Sequence, residues 1–180
     1  NKKVVGSQHI DSLDKDRFGV LVRDWCADVE IFRDENVPLQ TEDTKLGQEY
    51  AELCGAMMVN FDGEERTMPQ MGMYQQDQDR SVREASWRAV AERRLQDRDT
   101  IDGIFDKMVA NRNQTAQNAG FEEYRGYMFA VKHRFDYTPE DCLAFHEAIE
   151  KECMPIVRKL TEERKQALGL ETLRPWDLSV

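Results

Sequence analysis

The sequence predicts a mostly α protein, an antiparallel helical lobe that carries one short β-hairpin. The stretch from Gln76 to Gly120 repeats apolar residues every three or four positions, which is the spacing of one helical face. The dipeptide Asp62-Gly63 stands between residues that alternate in polarity, which is typical of a tight hairpin. No internal repeat, low-complexity tract or flexible linker interrupts the chain, so we expect one continuous helical piece.

Length and charge limit the class of protein. The chain has 180 residues, a formal net charge of −10 and 33% charged residues. We expect a single helical lobe over residues 1–180, with residues 57–71 as a β-hairpin insertion, and the length is enough to bury a core. The acidic balance argues against nucleic acid and against an anionic membrane surface as partners. We also expect no bilayer-spanning segment and no signal peptide.

The cysteines indicate the redox setting. They have no paired spacing of the Cys-x-x-Cys kind, and three of them fall on predicted helices beside apolar residues. Free cysteine in such a place behaves as a small buried hydrophobe. We therefore expect free thiols and a reducing, cytoplasmic location. The four residues are Cys26, Cys54, Cys142 and Cys153.

The first third of the chain should contain two helices. Residues 1–10 show no periodicity and are expected to form a loop. From Asp11 the pattern predicts a helix that ends near Glu35, before Pro38, because proline disfavours helical backbone in the residue before it. A second helix should begin around Thr41. The inward faces are Phe18, Leu21, Val22, Trp25, Val29 and Phe32 in the first helix, and Leu46, Tyr50, Leu53, Cys54 and Met57 in the second.

The hairpin is followed by the central pair of helices. Within the hairpin we expect the return strand to begin at Thr67. The first central helix has a narrow stripe of alanine and valine, which lets another helix approach closely. We expect a break at Asp97 to Thr100, with Asp99 or Thr100 capping the second helix, and an end at Gly120. The stripe of the first central helix consists of Val82, Ala85, Ala89 and Val90. The apolar face of the second consists of Ile101, Ile104, Phe105, Met108, Val109 and Ala116.

Two more helices are predicted towards the end of the chain. The aromatic-rich segment 121–135 favours a short helix with Phe121, Tyr124, Met128 and Val131 on one face. Thr138-Pro139-Glu140-Asp141 predicts the start of the next helix through a capping box with proline at its first position. That helix should bend at Pro155, reach Leu168 and stop at Gly169. The tail should turn at Arg174-Pro175 and continue as an extended, amphipathic strip.

Histidine is scarce, so the chain has few candidate ligands of this kind for a metal. His146-Glu147 begins like the zinc pentad His-Glu-x-x-His, in which two histidines one helical turn apart hold the metal while the glutamate activates water. The fifth position here is Glu150, so the pentad fails and an exposed His146 beside solvated acids is expected. The pairs His133 with Asp136 and Cys142 with His146 are coincidences of two residues. The remaining histidine is His9.

Other constellations predict structure rather than chemistry. No serine has a glycine elbow, no cysteine has a basic context that would activate it, and no glycine-rich phosphate loop is present. A cluster of charges on the first central helix fits either a salt-bridged exposed face or a buried arginine–carboxylate clamp between helices. An aromatic set near the C-terminal third is expected to pack in the core. The serines are Ser81, Ser86 and Ser179. The charged cluster consists of Arg80, Arg83, Glu84 and Arg88, and the aromatic set consists of Tyr124, Tyr127, Phe129, Phe135 and Tyr137.

Four segments together resemble a known enzyme family. They are the hairpin NFDGEERTMPQM, the helix start DRSVREA, the stretch MVANRNQTAQNAGFEEYRGY and the strip RPWDLSV. They occur in the order seen in the oligoendopeptidase F branch of the thimet oligopeptidase family, which are zinc metallopeptidases of the His-Glu-x-x-His type. The resemblance implies cytoplasmic hydrolysis of short peptides with zinc as cofactor.

The resemblance also implies that this chain lacks the reactive centre. The zinc pentad, the third zinc ligand and the residues that stabilise the transition state lie beyond the matching region in that family. No catalytic, cofactor-binding or metal residue is therefore carried over, and we expect the helical, channel-wall part of such an enzyme, inactive alone and completed by the missing catalytic lobe. A lobe without its partner should expose apolar surface at Leu170 to Val180 and on the central helix, and should form a homo-oligomer.

Two alternatives remain open from the sequence alone. One is a helical binding or scaffold module that shares the architecture without catalysis. The other is a metal-free enzyme that uses Cys142 and His146. The length of the parent reading frame separates the first alternative from the peptidase, and exchange of Cys142 for serine tests the second.

Overall fold

The computed structural model describes residues 1–179, and Val180 lies outside the described residues. The predicted fold class, mostly α with one short hairpin, is confirmed. One-turn 3-10 helices occupy Ile10–Ser12, Tyr74–Gln76 and Pro175–Asp177. The other elements are α1 (Lys2–Val5), α2 (Lys15–Ile31), α3 (Asn36–Gly55), β1 (Met58–Phe61), β2 (Glu64–Thr67), α4 (Met68–Met71), α5 (Arg80–Gln96), α6 (Arg98–Asn118), α7 (Tyr124–Val131), α8 (Pro139–Ala148) and α9 (Met154–Ala167).

The chain divides into two compact units. The first unit joins Asn1–Gln48 to Phe105–Cys142, and the second joins Glu49–Ile104 to the chain from Leu143 onward. The assignment of residues 1–180 to a single lobe with an insertion at 57–71 stays a prediction.

The N-terminal boundaries differ from the predicted ones. Residues 1–10 include α1 and are not a simple loop. Asp14 starts α2, because its carboxylate accepts hydrogen bonds from the backbone of Asp16 at 2.9 Å and of Arg17 at 3.3 Å. Pro38 does not separate the helices but lies in the first turn of α3, where its missing N–H would have had no partner within the helix.

A polar seam joins α3 to α6 in the first unit. The buried Asn36 side chain donates to the Thr115 carbonyl at 2.9 Å and accepts from the Asn118 amide at 2.9 Å. Asp43 accepts two hydrogen bonds from the Arg112 guanidinium, at 2.9 and 3.3 Å. The buried Asn36 needs its partners because an unpaired buried polar group is costly, and together with the half-buried Asp43–Arg112 pair it fixes the register of the two helices.

The first unit has a small apolar core at the end of α6. Ala116, Ala119 and Tyr127 are buried there, and larger side chains that are partly buried pack around them. The predicted helix of segment 121–135 is confirmed as α7, and its four predicted inward residues belong to this packing. The surrounding residues are Ile31, Phe121, Tyr124, Met128 and Val131.

The hairpin of the second unit forms around the predicted turn. Met58 pairs with Thr67 and Phe61 with Glu64. Asp62 and Gly63 both have positive φ, 54° and 76°, which is the backbone of the favoured two-residue hairpin turn. The return strand begins at Glu64 and not at Thr67, because Thr67 ends it and caps α4 through a reciprocal pair of hydrogen bonds with Gln70.

The central helices are confirmed, but their junction is tighter than predicted. Only Asp97 separates α5 from α6, and its carbonyl accepts from the Ile101 amide at 3.0 Å. The predicted caps Asp99 and Thr100 therefore lie inside α6. The predicted end is correct: Gly120 has a φ of 88°, and the amide of Phe121 donates to the carbonyl of Ala116 at 3.0 Å.

The C-terminal helix begins and ends as predicted. Thr138 and Asp141 form the capping box, with the Thr138 amide donating to the Asp141 carboxylate at 2.8 Å. The predicted irregularity near Pro155 is a π-helical turn, Ile149–Cys153, between α8 and α9. Proline has no N–H for the preceding turn, so regular bonding is lost there. Gly169, with a φ of 64°, ends α9.

Candidate functional site

A buried carboxylate in the tail of the second unit accepts four hydrogen bonds. Asp177 has no exposed surface. Its two carboxylate oxygens accept from Nε and Nη2 of Arg80, each at 2.9 Å, in the paired geometry that arginine makes with carboxylates. Nη2 of Arg83 donates to the same carboxylate at 3.2 Å, and the backbone of Arg174 donates at 2.9 Å.

Arg83 extends this contact to the backbone of three residues. Its Nε donates to the Trp176 carbonyl at 2.9 Å, and its Nη1 donates to the carbonyls of Asp77 and Gln78 at 2.9 and 3.1 Å. The side chain is only 4% exposed. A single guanidinium therefore holds both the segment that leads into α5 and the 3-10 turn of the tail.

An aromatic side chain covers the cluster. The ring of Trp176 is buried, and its centre lies 5.5 Å from that of Trp87 on α5. The guanidinium carbons of Arg80 and Arg88 lie 5.8 and 5.0 Å from the Trp176 ring centre, within reach of cation–π attraction. The tail is thus a folded turn packed on α5. The predicted turn at Arg174-Pro175 is correct, but the extended strip expected after it is wrong, because Trp176 and Asp177 both find buried partners.

The electrostatics of the cluster fit a structural role. Hydrogen bonds from Arg80, opposed by burial and assisted by the Arg174 backbone and Arg83, lower the pKa of Asp177 to about 2. A carboxylate that binds a proton so weakly is a poor general base near neutral pH. The alternative of a buried arginine–carboxylate clamp is the correct one for Arg80 and Arg83, although the carboxylate comes from the tail and not from another helix. Glu84 and Arg88 form the exposed pair, at 2.8 Å.

The histidines do not converge. His9 lies beside the 3-10 turn at Ile10, His146 is exposed on α8, and His133 follows the end of α7. The two ring nitrogens of His133 face different carboxylates, Asp28 at 2.9 Å and Asp24 at 3.6 Å. Asp136, which the sequence places near His133, accepts a hydrogen bond from Arg23 at 3.0 Å instead.

The sequence pointed to none of the acids that contact His133. Asp24 and Asp28 are one helical turn apart on α2, and that spacing is the only signal that could have indicated a shared partner.

The other residues considered from the sequence are structural or exposed. Ser81 donates to the capping carboxylate of Asp79 at 2.7 Å, and the buried Ser86 donates to the Arg83 carbonyl. All four cysteines are free, but Cys26 and Cys153 are exposed, so the expectation of buried thiols is wrong for them. In the aromatic set Tyr127 is buried, Tyr124 and Phe129 are half-buried, and Phe135 and Tyr137 are exposed.

Comparison with known proteins decides the family. The model of peptidase family M3 matches residues 73–179, more than half of the chain. The chain belongs to peptidase family M3. The matched part of this M3 chain contains the entire Arg80, Arg83 and Asp177 cluster. A comparison with curated protein sequences gives no match.

Solved peptidases share the fold of this M3 chain. A protein described as an oligoendopeptidase F from Bacillus anthracis str. Ames matches with a TM-score of 0.91 and 24% identity over 99% of this chain and 33% of its own. PZ peptidase A, solved with an inhibitor, matches with a TM-score of 0.92 and 27% identity over 98% of this chain and 31% of its own. The chain thus spans about a third of the length of these peptidases.

Residues 1–179 of the M3 chain contain neither a metal-ligand cluster nor a bilayer-spanning helix. No cluster of three or more histidine, cysteine, aspartate or glutamate side chains has a geometry that could hold a metal ion there. In the same residues no helix combines the length and the apolar character that crossing a bilayer requires.

Proposed function

We propose that this chain is the helical, channel-wall portion of a zinc-dependent oligopeptidase of the oligoendopeptidase F type, which hydrolyses short peptides. The observation that carries the proposal is the match to peptidase family M3 over residues 73–179. The similarity of fold to solved peptidases about three times as long supports the view that another part of the parent protein completes the enzyme.

The residues of this chain do not fit a catalytic zinc site. Such a site needs three protein ligands that converge on an open coordination position. His146-Glu147 is followed at the fifth position of the pentad by Glu150, and His133 directs its two ring nitrogens at different aspartates. We therefore assign no step of peptide hydrolysis to a metal held here, and propose that the parent protein supplies zinc from another region.

The proposed contribution of this chain is shape. A wall made of helices whose register is fixed by buried polar contacts presents a rigid surface, and a narrow space between such walls admits an extended peptide but excludes a folded domain. Rigid surroundings that exclude water also strengthen electrostatic interactions at a reacting carbonyl. Short unstructured peptides are the proposed substrates, and the cytoplasm is the proposed location.

The parent protein tests this proposal. Expressed from its complete reading frame, it should cleave a short quenched-fluorescent peptide, lose that activity with a metal chelator and regain it with zinc. The same peptide sequence placed inside a stably folded domain should resist cleavage, and unfolding of that domain should make the peptide cleavable again. A reading frame that stops at Val180, or cleavage that ignores the chelator, would contradict the proposal and favour a binding module without catalysis.

A further inference from the structure

The strongest unused feature of the second unit is an apolar stripe along its last long helical segment. The stripe starts on α8, passes through the π-helical turn and continues on α9. Its four large side chains are between 40% and 64% exposed, and a free cysteine lies among them. The α8–α9 stripe consists of Phe145, Ile149, Cys153, Ile156 and Leu160.

The spacing of the α8–α9 stripe is that of a helical docking face. Its members follow one another at steps of three and four residues, which places them on one side of a helix. Charged residues on α9 pair among themselves beside it: Lys159 lies 3.8 Å from Glu163, and Lys165 lies 3.2 Å from Glu162. An apolar centre with a polar, self-paired border is the usual anatomy of a protein–protein interface.

Exposure of these side chains is energetically unfavourable. Covering these side chains would stabilise the protein, because the free energy gained on burial grows with the apolar area removed from water. Isolated exposed apolar residues are ordinary, but a contiguous row of them marks an interaction surface.

We infer that the α8–α9 stripe is the surface on which the remaining polypeptide of the parent peptidase docks, through an apolar groove that receives one helical face. This inference rests on the proposed function. Solved peptidases with this fold have about three times as much chain, of which this protein covers 31% to 33%, so most of the polypeptide available to cover the stripe lies outside the 180 residues. The helix-in-groove mode needs anchors at the observed steps of three and four residues.

The α8–α9 stripe differs from the exposed apolar surfaces predicted from the sequence, which were the tail from Leu170 and the central helix. The tail from Leu170 buries Trp176 and Asp177 against α5, so it cannot offer the continuous apolar strip expected from its sequence. The central helix α6 does expose Phe105 and Val109. The α8–α9 stripe is longer than either, and it is the surface that the inference names.

Cysteine labelling of the parent protein tests the inference directly. Cys153 lies within the stripe, and Cys26 on α2, which is also exposed, serves as an internal control for the reagent. In the native parent protein, mass spectrometry should show Cys153 reacting with a maleimide at least about tenfold more slowly than in the denatured protein, since it becomes accessible only when the interface opens. Equal rates for Cys153 in the native and denatured protein would overturn the inference.

Dilution and a matched pair of variants separate the other outcomes. Protection of Cys153 that disappears on dilution would indicate a second copy of the chain on the stripe, which overturns the inference. Leu160→Glu in the parent should raise Cys153 labelling, whereas Val20→Glu, at an exposed apolar residue of α2, should leave it unchanged. Protection without peptide cleavage would refute the proposed function alone, and cleavage without protection would refute the docking surface alone.

Discussion

At the scale of single residues, the Asp177 carboxylate explains why the tail is ordered. Two arginines and one backbone amide donate to it, and the carbonyl of the neighbouring Trp176 accepts from Arg83. Burial of one charge is unfavourable, but here the charge is matched by guanidinium groups that hold both the tail and the start of α5. The cluster thus connects residues that are far apart in the sequence.

Replacement of Asp177 should show what the buried pair contributes. Asp177→Asn leaves Arg83 buried without its carboxylate, and we expect a loss of about 3 kcal/mol in the free energy of unfolding, measured by urea denaturation. Glu84→Gln is the matched control because Glu84 pairs with the exposed Arg88, and its cost should be about 0.5 kcal/mol or less. Equal effects of the two variants would contradict a buried clamp.

The same carboxylate predicts a dependence of stability on acid. Its pKa falls from 3.8 in the unfolded chain to about 2 in the folded protein. The folded state therefore holds fewer protons, so the stabilisation is complete above pH 3.8 and is lost as the pH falls through 2. We expect a loss of about 2 kcal/mol from this group over that range.

Comparison with Asp177→Asn isolates this part of the acid response. Urea denaturation of both proteins between about pH 5 and pH 2 should show a smaller loss in the variant, because the exposed carboxylates Asp79 and Asp141, whose pKa values hydrogen bonds also lower, are common to both. Parallel pH curves for the two proteins would show that the folded-state pKa of Asp177 is ordinary.

Half of this cluster was predictable from the sequence. Arginines at Arg80 and Arg83 on one helical face suggested a clamp, since arginine is favoured in buried ion pairs. Their carboxylate could not be identified, because any of 35 acidic residues satisfies the charge requirement and only the folded tail brings Asp177 to them. A local sequence pattern does not predict contacts between segments that are far apart in the chain.

At the scale of elements, the end of a helix was predictable where its sequence contains a residue that favours the backbone conformation or the capping hydrogen bonds of a helix end. Gly120 and Gly169 adopt the left-handed backbone that other residues avoid, and the Thr138 capping box satisfies its own amides. The break at Asp97 lies within the predicted range Asp97 to Thr100, but the predicted caps are wrong, and Pro38 does not separate α2 from α3 as predicted. In both cases the polar backbone groups of one helix end are satisfied within the adjoining turn, so the sequence carries no strong stop signal.

Gly103, inside α6, and Gly120, just after its end, should respond to alanine in opposite directions. An added methyl group meets nothing within 4 Å at either position, so only the backbone decides. Gly120→Ala forces a φ of 88° on alanine and should cost about 1 kcal/mol of unfolding free energy. Gly103→Ala lies inside the helix and should stabilise by about 0.5–1 kcal/mol. Thermal or urea unfolding of both variants checks the pair, and a shift in the same direction for both would refute this interpretation of Gly120.

At the scale of the whole molecule, the chain belongs to peptidase family M3 and exposes a row of apolar side chains, the α8–α9 stripe. The hairpin and the central helices were recognisable in the sequence because they combine a turn dipeptide, a charged helix start and a glycine stop in a fixed order. The exposure of the α8–α9 stripe could not be predicted, since apolar periodicity alone does not say whether a helix is covered by its own unit or by another part of the protein.

The central claim is that these 180 residues supply structure while the metal centre belongs to another part of the parent protein. Zinc content after equilibrium dialysis, measured on the purified 180-residue chain and on the parent protein side by side, tests it most directly. The account predicts stoichiometric zinc in the parent and none retained by the chain alone. A stoichiometric zinc bound by the isolated chain would contradict it.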